Sequence, residues 1–246
     1  MDPICRDLYR MTIADVTLDC SFIFPETASC FGSWCRGPYL GSKDIPVMIS
    51  ETYLQSWEDS FGPIDANAER SAFAAVASEA LLDHDRFLMH AVAVRRQEKA
   101  YLITAPSGVG KSRQARTLRE LYPGEFSIIC GDRPVIEDRG EEGYMVHPSP
   151  WNGKEGWHGA GAAPLSAIIC LRRGEENRIE RLPTRKSAAL VYSAVIQTAE
   201  SEEKVRRIAE ITAGILEKTP IWRLTNKGVP DSTRLLYETV IKGDIL

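Results

Sequence analysis

A chain of 246 residues, 43% hydrophobic and 26% charged, has the composition of an ordinary globular protein and is long enough for one large domain or two small ones. A formal net charge of -4 excludes a global attraction to nucleic acid or anionic membrane while allowing a local basic pocket, and no apolar run approaches the roughly 18 residues of a membrane span. The opening residues, Met1 to Asp7, lack a signal peptide's basic region and long apolar core, so the expected location is the cytoplasm, without nucleic-acid or membrane partners.

Taken in order, Leu8, Tyr9, Met11, Ile13, Val16 and Leu18, followed by Phe22 and Phe24, alternate partially and favour β structure, which predicts two antiparallel strands. Pro25 to Pro46, rich in Gly and Pro, reads as loop and turn, and Val47-Met48-Ile49 as a further short strand. Residues 1–65 thus form a β-rich N-terminal region packed on a core of residues 66–246. Its aromatic residues Trp34, Tyr39, Tyr53 and Trp57 read as core side chains or as the lining of a substrate groove. A helix is expected from Asn67, its cap, to Leu82, because Phe73, Val76, Ala77, Ala80 and Leu81 share one face. Phe87 to Val94 and Lys99 to Thr104 are apolar strands joined by the charged turn Arg95 to Glu98. So short a connection favours a hairpin, whereas a doubly wound nucleotide fold places a crossover helix between neighbouring strands.

Phe126 to Cys130 reads as a buried strand, and Pro134 to Ile136 pairs with Tyr144 to Val146 across a polar turn. The run from His147 to His158, dense in Trp, Gly, Lys and His, has little regular character and reads as a functional loop or as a surface loop pinned by Trp151. Leu165 to Leu171 is another buried strand, with Asn177 to Leu182 its expected hairpin partner. Two helices follow, an all-round apolar one from Lys186 to Ile196 and an amphipathic one from Glu203 to Leu216. Ile221 to Leu224 gives a last strand, and Asp231 or Ser232 caps a final helix to about Ile241. Of the six cysteines, Cys130 and Cys170 lie in strand-like runs and behave as small hydrophobes; Cys20, Cys30 and Cys35 find no second ligand pair for zinc, and Cys5 stands alone.

The chemistry centres on Ala105-Pro106-Ser107-Gly108-Val109-Gly110-Lys111-Ser112, set between the strand run Tyr101-Leu102-Ile103 and the helix run Arg113 to Leu121. Strand, Gly-containing loop and helix start, closed by Gly-Lys-Ser, is the arrangement of a Walker A phosphate-binding loop (P-loop), with Ala105 where the usual loop has Gly. Backbone N–H groups of Ser107, Gly108, Val109, Gly110, Lys111 and Ser112 would cradle phosphate, the Lys111 ammonium would reach the β- and γ-phosphates of ATP, and the Ser112 hydroxyl would hold Mg2+. Asp132 ends the strand after the loop's helix, where a carboxylate for Mg2+ or for the proton of an attacking hydroxyl is expected. Arg133, Lys154, Arg172 and Arg173 are candidates for neutralising the transferred phosphate, the last two ranked lowest because a solvated strand end explains them equally well.

The order Met89-His90-Ala91-Val92-Ala93-Val94, then Leu102 to Ser112, then Ile129-Cys130-Gly131-Asp132-Arg133 resembles the bacterial HPr kinase/phosphorylase family. Pro150-Trp151-Asn152-Gly153-Lys154 followed by Pro164 to Ile168 is similar to HPr-kinase-related proteins encoded beside ribosomal peptide clusters, such as lasso peptide kinases. The resemblance covers residues 87 to 182. It implies an α/β fold of the HPr kinase and phosphoenolpyruvate carboxykinase type, with a mixed sheet and flanking helices. It also implies His90 beside the γ-phosphate, Lys111 and Ser112 on phosphate and Mg2+, and Asp132 as catalytic base or metal ligand. Three departures stand out. Gly131 replaces one member of the family's acidic pair, leaving Asp132 alone or helped by a residue such as Glu137; Arg113 stands where HPr kinases carry Glu; and the segment thought to support the reverse reaction is not recognisable.

The sequence is therefore read as an ATP- and Mg2+-dependent phosphotransferase acting on a serine hydroxyl of a peptide or small protein other than HPr, with acceptor specificity in the loop from Trp151 to Lys154. Two alternatives stay open: a kinase of free serine or another small metabolite, and a nucleotide-binding regulatory module without transfer. Carboxykinase chemistry fits least, since its oxaloacetate-binding and second-metal motifs have no counterpart. ATP against GTP, and self-association, are left open.

Overall fold

The computed structural model describes residues 7–39, 45–157, 159, 161–198 and 201–243; Cys5 and His158 lie outside them. Strands β1 (Leu8–Ile13) and β2 (Val16–Ser21) pair antiparallel. Ala14 and Asp15 connect them at φ 47° and 65°, the positive values that let a two-residue turn follow the twist of a hairpin. Residues read as loop instead fold into α1 (Glu26–Cys30), a 3-10 turn (Gly32–Trp34) and β3 (Cys35–Tyr39). Helix α1 is too short to show a periodicity, and β3 carries Gly37 and Pro38 because it is an edge strand, where a missing N–H is tolerated. With β4 (Ile45–Met48), parallel to β2, the sheet runs β3-β1-β2-β4.

Helix α2 (Glu51–Phe61) starts under the Ser50 hydroxyl, which accepts from the Tyr53 N–H at 3.1 Å. The next helix, α3 (Ala66–Leu82), is capped by Asp65 rather than Asn67, its carboxylate accepting from the Ala68 N–H at 2.8 Å. Phe73, Ala77 and Leu81 of α3 pack against Met11, Ile13 and Leu18 of the small sheet, with Trp151 in the same core. Glu69 of α3 is fully buried, and its carboxylate accepts from the N–H groups of Ile23 and Phe24 at 2.6 and 3.0 Å and from the Thr27 hydroxyl. Those donors hold a buried carboxylate in place and tie the start of α3 to the end of the small sheet.

Among the described residues the second sheet has nine strands. The expected strand from Phe87 to Val94 is two, β5 (Arg86–Leu88) and β6 (Ala91–Arg96), broken at Met89 and His90 because β5 pairs with β9 (Val135–Asp138) while β6 pairs with β7 (Lys99–Thr104) and β8 (Phe126–Cys130). The β6–β7 hairpin forms as the short charged turn requires. Helix α4 (Lys111–Leu121) follows β7. Strand β9 forms its expected hairpin with β10 (Tyr144–His147), and the long β11 (Ala163–Arg173) pairs with β10 at its start, with β7 in parallel, and from Ile168 onward with β13 (Ile221–Asn226) in parallel. Strand β12 (Arg178–Arg181) pairs with β13 and not with β11, so the expected hairpin is replaced: β13, apolar at Ile221 and Leu224, takes the place beside β11.

Strands β6 and β7 are buried on both faces, which their near-continuous apolar sequences anticipate. Ala91, Ala93, Leu102 and Ile168 face α5 (Thr184–Tyr192) and α6 (Glu202–Lys218) through Val191, Ile208, Ile211 and Ile215. Val92, Val94, Tyr101 and Ile103 face α4 and α7 (Asp231–Leu236) through Ala115, Leu118 and Leu236. Helix α7 continues as a π turn over Tyr237–Ile241, and its cap is Pro230 without a side-chain bond. Ser232, an expected cap, instead accepts from the Gln114 amide at 2.7 Å, while the Thr233 hydroxyl donates to Gln114 at 2.6 Å. All three side chains are buried, so this network fixes α4, and the loop before it, against α7. The architecture is mixed α/β, with helices on both faces of the larger sheet, and among the described residues no helix is long and apolar enough to cross a membrane.

Candidate active site

Strand β7 is buried to its last residue, and the chain turns through 105–110 into α4, whose first residue is Lys111. Gly108 and Gly110 take φ of 78° and 122°, which side-chain-bearing residues rarely adopt. Gly110 caps α4 without a side-chain bond, and the helix's first turn holds no acidic residue. Its leading N–H groups are thus unfilled by side chains, and the positive end of the helix dipole faces the loop. Ser112 is half-buried in that turn, and Arg113 is exposed.

Lys111 is buried, and its ammonium donates to the Ala105 carbonyl at 2.9 Å and to Nε2 of His90 at 3.0 Å. His90 reaches this position because the chain leaves β5 and enters β6 at that point, its N–H donating to the Ala194 carbonyl at 2.7 Å. The Thr104 hydroxyl donates to the His90 carbonyl at 2.8 Å, joining the histidine to the end of β7. Beyond it, Oδ1 of Asp132 lies 3.6 Å from His90 Nε2, too far for a direct hydrogen bond. Burial, then the Lys111 cation, holds the imidazole below its ordinary pKa of 6.5, so His90 is neutral at pH 7 and Nε2 can accept from Lys111. Burial likewise lowers the Lys111 pKa, and the nearby Asp132 carboxylate opposes that effect.

Asp132 follows β8, its carbonyl accepting from the Ala91 N–H at 2.8 Å. Its Oδ2 lies 3.3 Å from Nε of Arg133, whose Nη1 donates to the Ser71 carbonyl at 2.9 Å. Arg133 is therefore engaged by Asp132 and α3. Gly131 is needed for a different reason: a Cβ there would collide with the Asn152 carbonyl, so the 150–153 segment crosses Gly131 with no room for a side chain. A Cβ on Gly153 would sit 3.1 Å from Cβ of Asp132, on the other side of the same crossing. Glycine at 131 is thus a steric requirement.

Trp151 does not lie over a groove. It is 2% exposed, its indole N–H donates to the Arg70 carbonyl at 2.8 Å, and its ring stacks on Phe73 at 6.3 Å and meets Phe31 edge-on at 5.5 Å. Its carbonyl accepts from the Arg133 N–H at 3.0 Å, so Trp151 braces the residue next to Asp132. Lys154 is exposed on the following turn, where its neighbour Glu155 pairs with Arg116 of α4. Glu137 cannot supply a second carboxylate: Arg86 at 2.7 Å, His147 at 2.8 Å and Arg139 at 3.0 Å occupy it on β9.

Arg173, ranked lowest with Arg172 among the candidate cations, donates from Nη2 to the Gly108 carbonyl at 2.7 Å. The parallel pairing of β11 with β7 puts the end of β11 beside the glycine loop. That pairing is non-local and leaves no local sequence signal. Arg172 is turned to the Thr225 hydroxyl at 2.8 Å.

Fold and site together define a mixed α/β protein with a glycine loop at a strand–helix junction, next to a lysine, a neutral histidine and an aspartate. Compared with known proteins, the chain matches no family model and no curated protein. Among solved structures it is similar to the HPr(Ser) kinase/phosphatase from Coxiella burnetii, at 12% identity and a TM-score of 0.35, over 63% of this chain and 94% of that one.

Proposed function

We propose that the protein is an ATP- and Mg2+-dependent kinase that phosphorylates a serine hydroxyl of a peptide or small protein. The observation that carries this reading is the convergence of Lys111, His90 and Asp132 at the mouth of a glycine loop whose helix start lacks a side-chain cap. Triphosphate oxygens fit those N–H groups, with Lys111 against the terminal phosphates. Ser112 and Asp132 would hold Mg2+. A hydroxyl and a carboxylate are hard oxygen donors, which suits a cation that keeps several waters and takes its remaining oxygens from phosphate. When bound, Mg2+ supplies neutralisation of charge on the phosphates.

The chain's own residues do the rest. His90 keeps the Lys111 ammonium directed at the loop by accepting from it, and Lys111 attracts charge on the transferred group. Asp132, with its oxygens near neither donor at full hydrogen-bond strength, accepts the proton of the serine hydroxyl. Removing one such group costs about 3 kcal/mol, or about a hundredfold in rate.

The test is incubation with γ-labelled ATP and Mg2+ and a panel of serine-containing peptides, with free serine as a separate arm. Label on a peptide supports the reading. Label on free serine alone replaces the substrate, and nucleotide binding with no labelled product replaces the enzyme by a nucleotide-binding module.

A further inference from the structure

A loop that holds phosphate through its N–H groups must keep its carbonyl oxygens turned away from the anion. Resting on the reading above, one of those oxygens is held by a side chain from a distant strand. Pro106 to Val109 is a four-residue turn: the Val109 N–H donates to the Pro106 carbonyl at 3.4 Å, and Gly108, third of the four, takes φ 78°. A trans peptide points its C=O and its N–H in opposite directions, so with the Val109 N–H turned to Pro106 the Gly108 oxygen points out of the turn. There it accepts from Nη2 of Arg173 at 2.7 Å. The peptide lies between the end of β7 and the start of α4, in neither ladder, and glycine is the residue that rotates most readily.

Arg173 is rigidly carried. Strand β11 pairs with β7 as far as Cys170 opposite Thr104, so its end, Leu171 to Arg173, runs on past β7 beside the glycine loop. Leu171 and Arg173 are two apart and share a face: Cδ2 of Leu171 lies 3.9 Å from where a Cβ on Gly110 would sit, and Arg173 reaches Gly108. This end is still part of the sheet, because Arg173 is in register with Asn226 of β13 and the Gly174 N–H donates to the Asn226 carbonyl at 3.2 Å. A Cβ on Gly174 would collide with Cγ2 of Thr225, so the chain is pressed onto β13 directly after the arginine. Arg173 is exposed and lines a cavity of about 530 Å3 with Glu175 and Glu176, yet among the described residues no carboxylate pairs with it. Its cation is given to a backbone oxygen instead. Arg172 lies on the opposite face of the strand, bonded to Thr225, and carries an equal charge that does not touch the loop.

We infer that Arg173 is a positioning residue for the phosphate loop: it holds the Gly108–Val109 peptide with its oxygen outward, so that nucleotide phosphates meet N–H groups already set to receive them. A loop fixed before binding spends less of the binding energy on ordering. The effect falls on nucleotide binding rather than on the chemical step, since Arg173 acts through the loop backbone and not on the transferred group. Lysine can replace the charge and one donor, though not the planar fork.

The experiment compares the native chain with Arg173→Met, which keeps the stem, Arg173→Lys, which keeps the charge, and Arg172→Met, which removes an equal charge one residue away. Affinity for a non-hydrolysable ATP analogue is measured by isothermal titration, and transfer from labelled ATP to a serine peptide that the native chain labels. The Val109 amide is followed by heteronuclear NMR of valine-labelled protein, its signal assigned by its loss in Val109→Ile. Arg173→Met should bind the analogue about tenfold more weakly, raise KM for ATP by a like factor with a far smaller change in kcat, and shift the Val109 amide. Arg173→Lys should recover most of the affinity, and Arg172→Met should bind as the native chain does. Three results overturn the positioning role: unchanged affinity in Arg173→Met, equal losses in the two Met variants, which would make the effect one of diffuse charge, or a loss in kcat alone, which would put Arg173 on the transferred phosphate. A native chain that binds the analogue but labels no acceptor overturns the kinase reading, while the affinities and the Val109 amide still decide the role of Arg173. A native chain that binds no nucleotide overturns both.

Discussion

The Lys111 ammonium lies 3.0 Å from Nε2 of His90, and the geometry is that of a donor facing a neutral acceptor. A protonated imidazole would present a second donor to the ammonium, so the contact exists only while His90 is uncharged. Lys111 is otherwise held by the Ala105 carbonyl, an acceptor that survives any side-chain change at position 105. Alanine is acceptable at 105 because the backbone there is not at positive φ and the side chain packs in the core with Val92 and Ile103.

Lys111→Ala should lower phosphoryl transfer about a hundredfold or more, since under the proposed function it removes the cation that meets the terminal phosphates. The fold should survive, because the strands and helices around the loop are held by their own cores. Labelled-phosphate transfer and far-ultraviolet circular dichroism on one sample separate the two effects. Retained transfer would remove Lys111 from the mechanism.

His90 makes the site sensitive to acid. Its folded pKa lies below 6.5, so between the folded value and 6.5 the unfolded chain binds more protons, and stability rises with pH across that window. Above about 6.5 the contribution is complete and constant. The unfolding free energy of the protein relative to His90→Gln should therefore grow in the protein's favour as pH rises toward about 6.5 and level off above it. Transfer should fall on the same acid side as Nε2 becomes a donor. A difference independent of pH would show that His90 is not the group titrating.

Much of this was legible beforehand wherever the signal is local. Alternating residues gave β1 and β2, a four-residue charged turn gave the β6–β7 hairpin, and the Gly-Lys-Ser loop placed Lys111 at a helix start. What depended on distant partners was not. The break at His90 arises because β5 and β6 choose different neighbours, and β12 leaves β11 for β13 across more than forty residues of chain. Trp151 sits in a loop by sequence but in a core by contact, since Phe31 and Phe73 approach it from elsewhere in the chain. The arginine at the end of β11 acquires a neighbour in the glycine loop only through parallel pairing.

Trp151→Ala should destabilise the protein by about 3–5 kcal/mol, the usual cost of emptying a buried aromatic site. It should also reduce transfer beyond what the folded fraction explains, because the Trp151 carbonyl braces Arg133 beside Asp132. Urea unfolding and transfer rates corrected for folded fraction test both parts. Full activity per folded molecule would confine Trp151 to packing.

Gly131→Ala should destabilise by about 1–3 kcal/mol, the range for forcing extra volume into a packed site, since its Cβ meets the Asn152 carbonyl. Gly131→Asp should be worse, for a larger side chain and a charge enter the same crossing. Installing an acidic pair here therefore lowers activity rather than raising it. Denaturant midpoints for both variants, with transfer assayed alongside, test the point. A more active Gly131→Asp would show that the 150–153 segment moves aside readily.

Asp132→Asn separates binding from chemistry. The substitution keeps size and an oxygen near Arg133 but removes the charge, so Arg133 loses a partner 3.3 Å away while Gly131 and Gly153 still pack as before. Nucleotide affinity should persist, because the proposed donors for phosphate belong to the loop from Ser107 to Ser112 and to Lys111. Transfer should fall below detection, since an amide neither accepts the serine proton nor matches a carboxylate toward Mg2+. Without its carboxylate neighbour, which raises the imidazole pKa, His90 should also become harder to protonate, moving the acid limb of any residual activity to lower pH. Isothermal titration with a non-hydrolysable ATP analogue measures the first expectation, and long incubations with labelled ATP the second. Full transfer by Asp132→Asn would end its assignment as base and as metal ligand together.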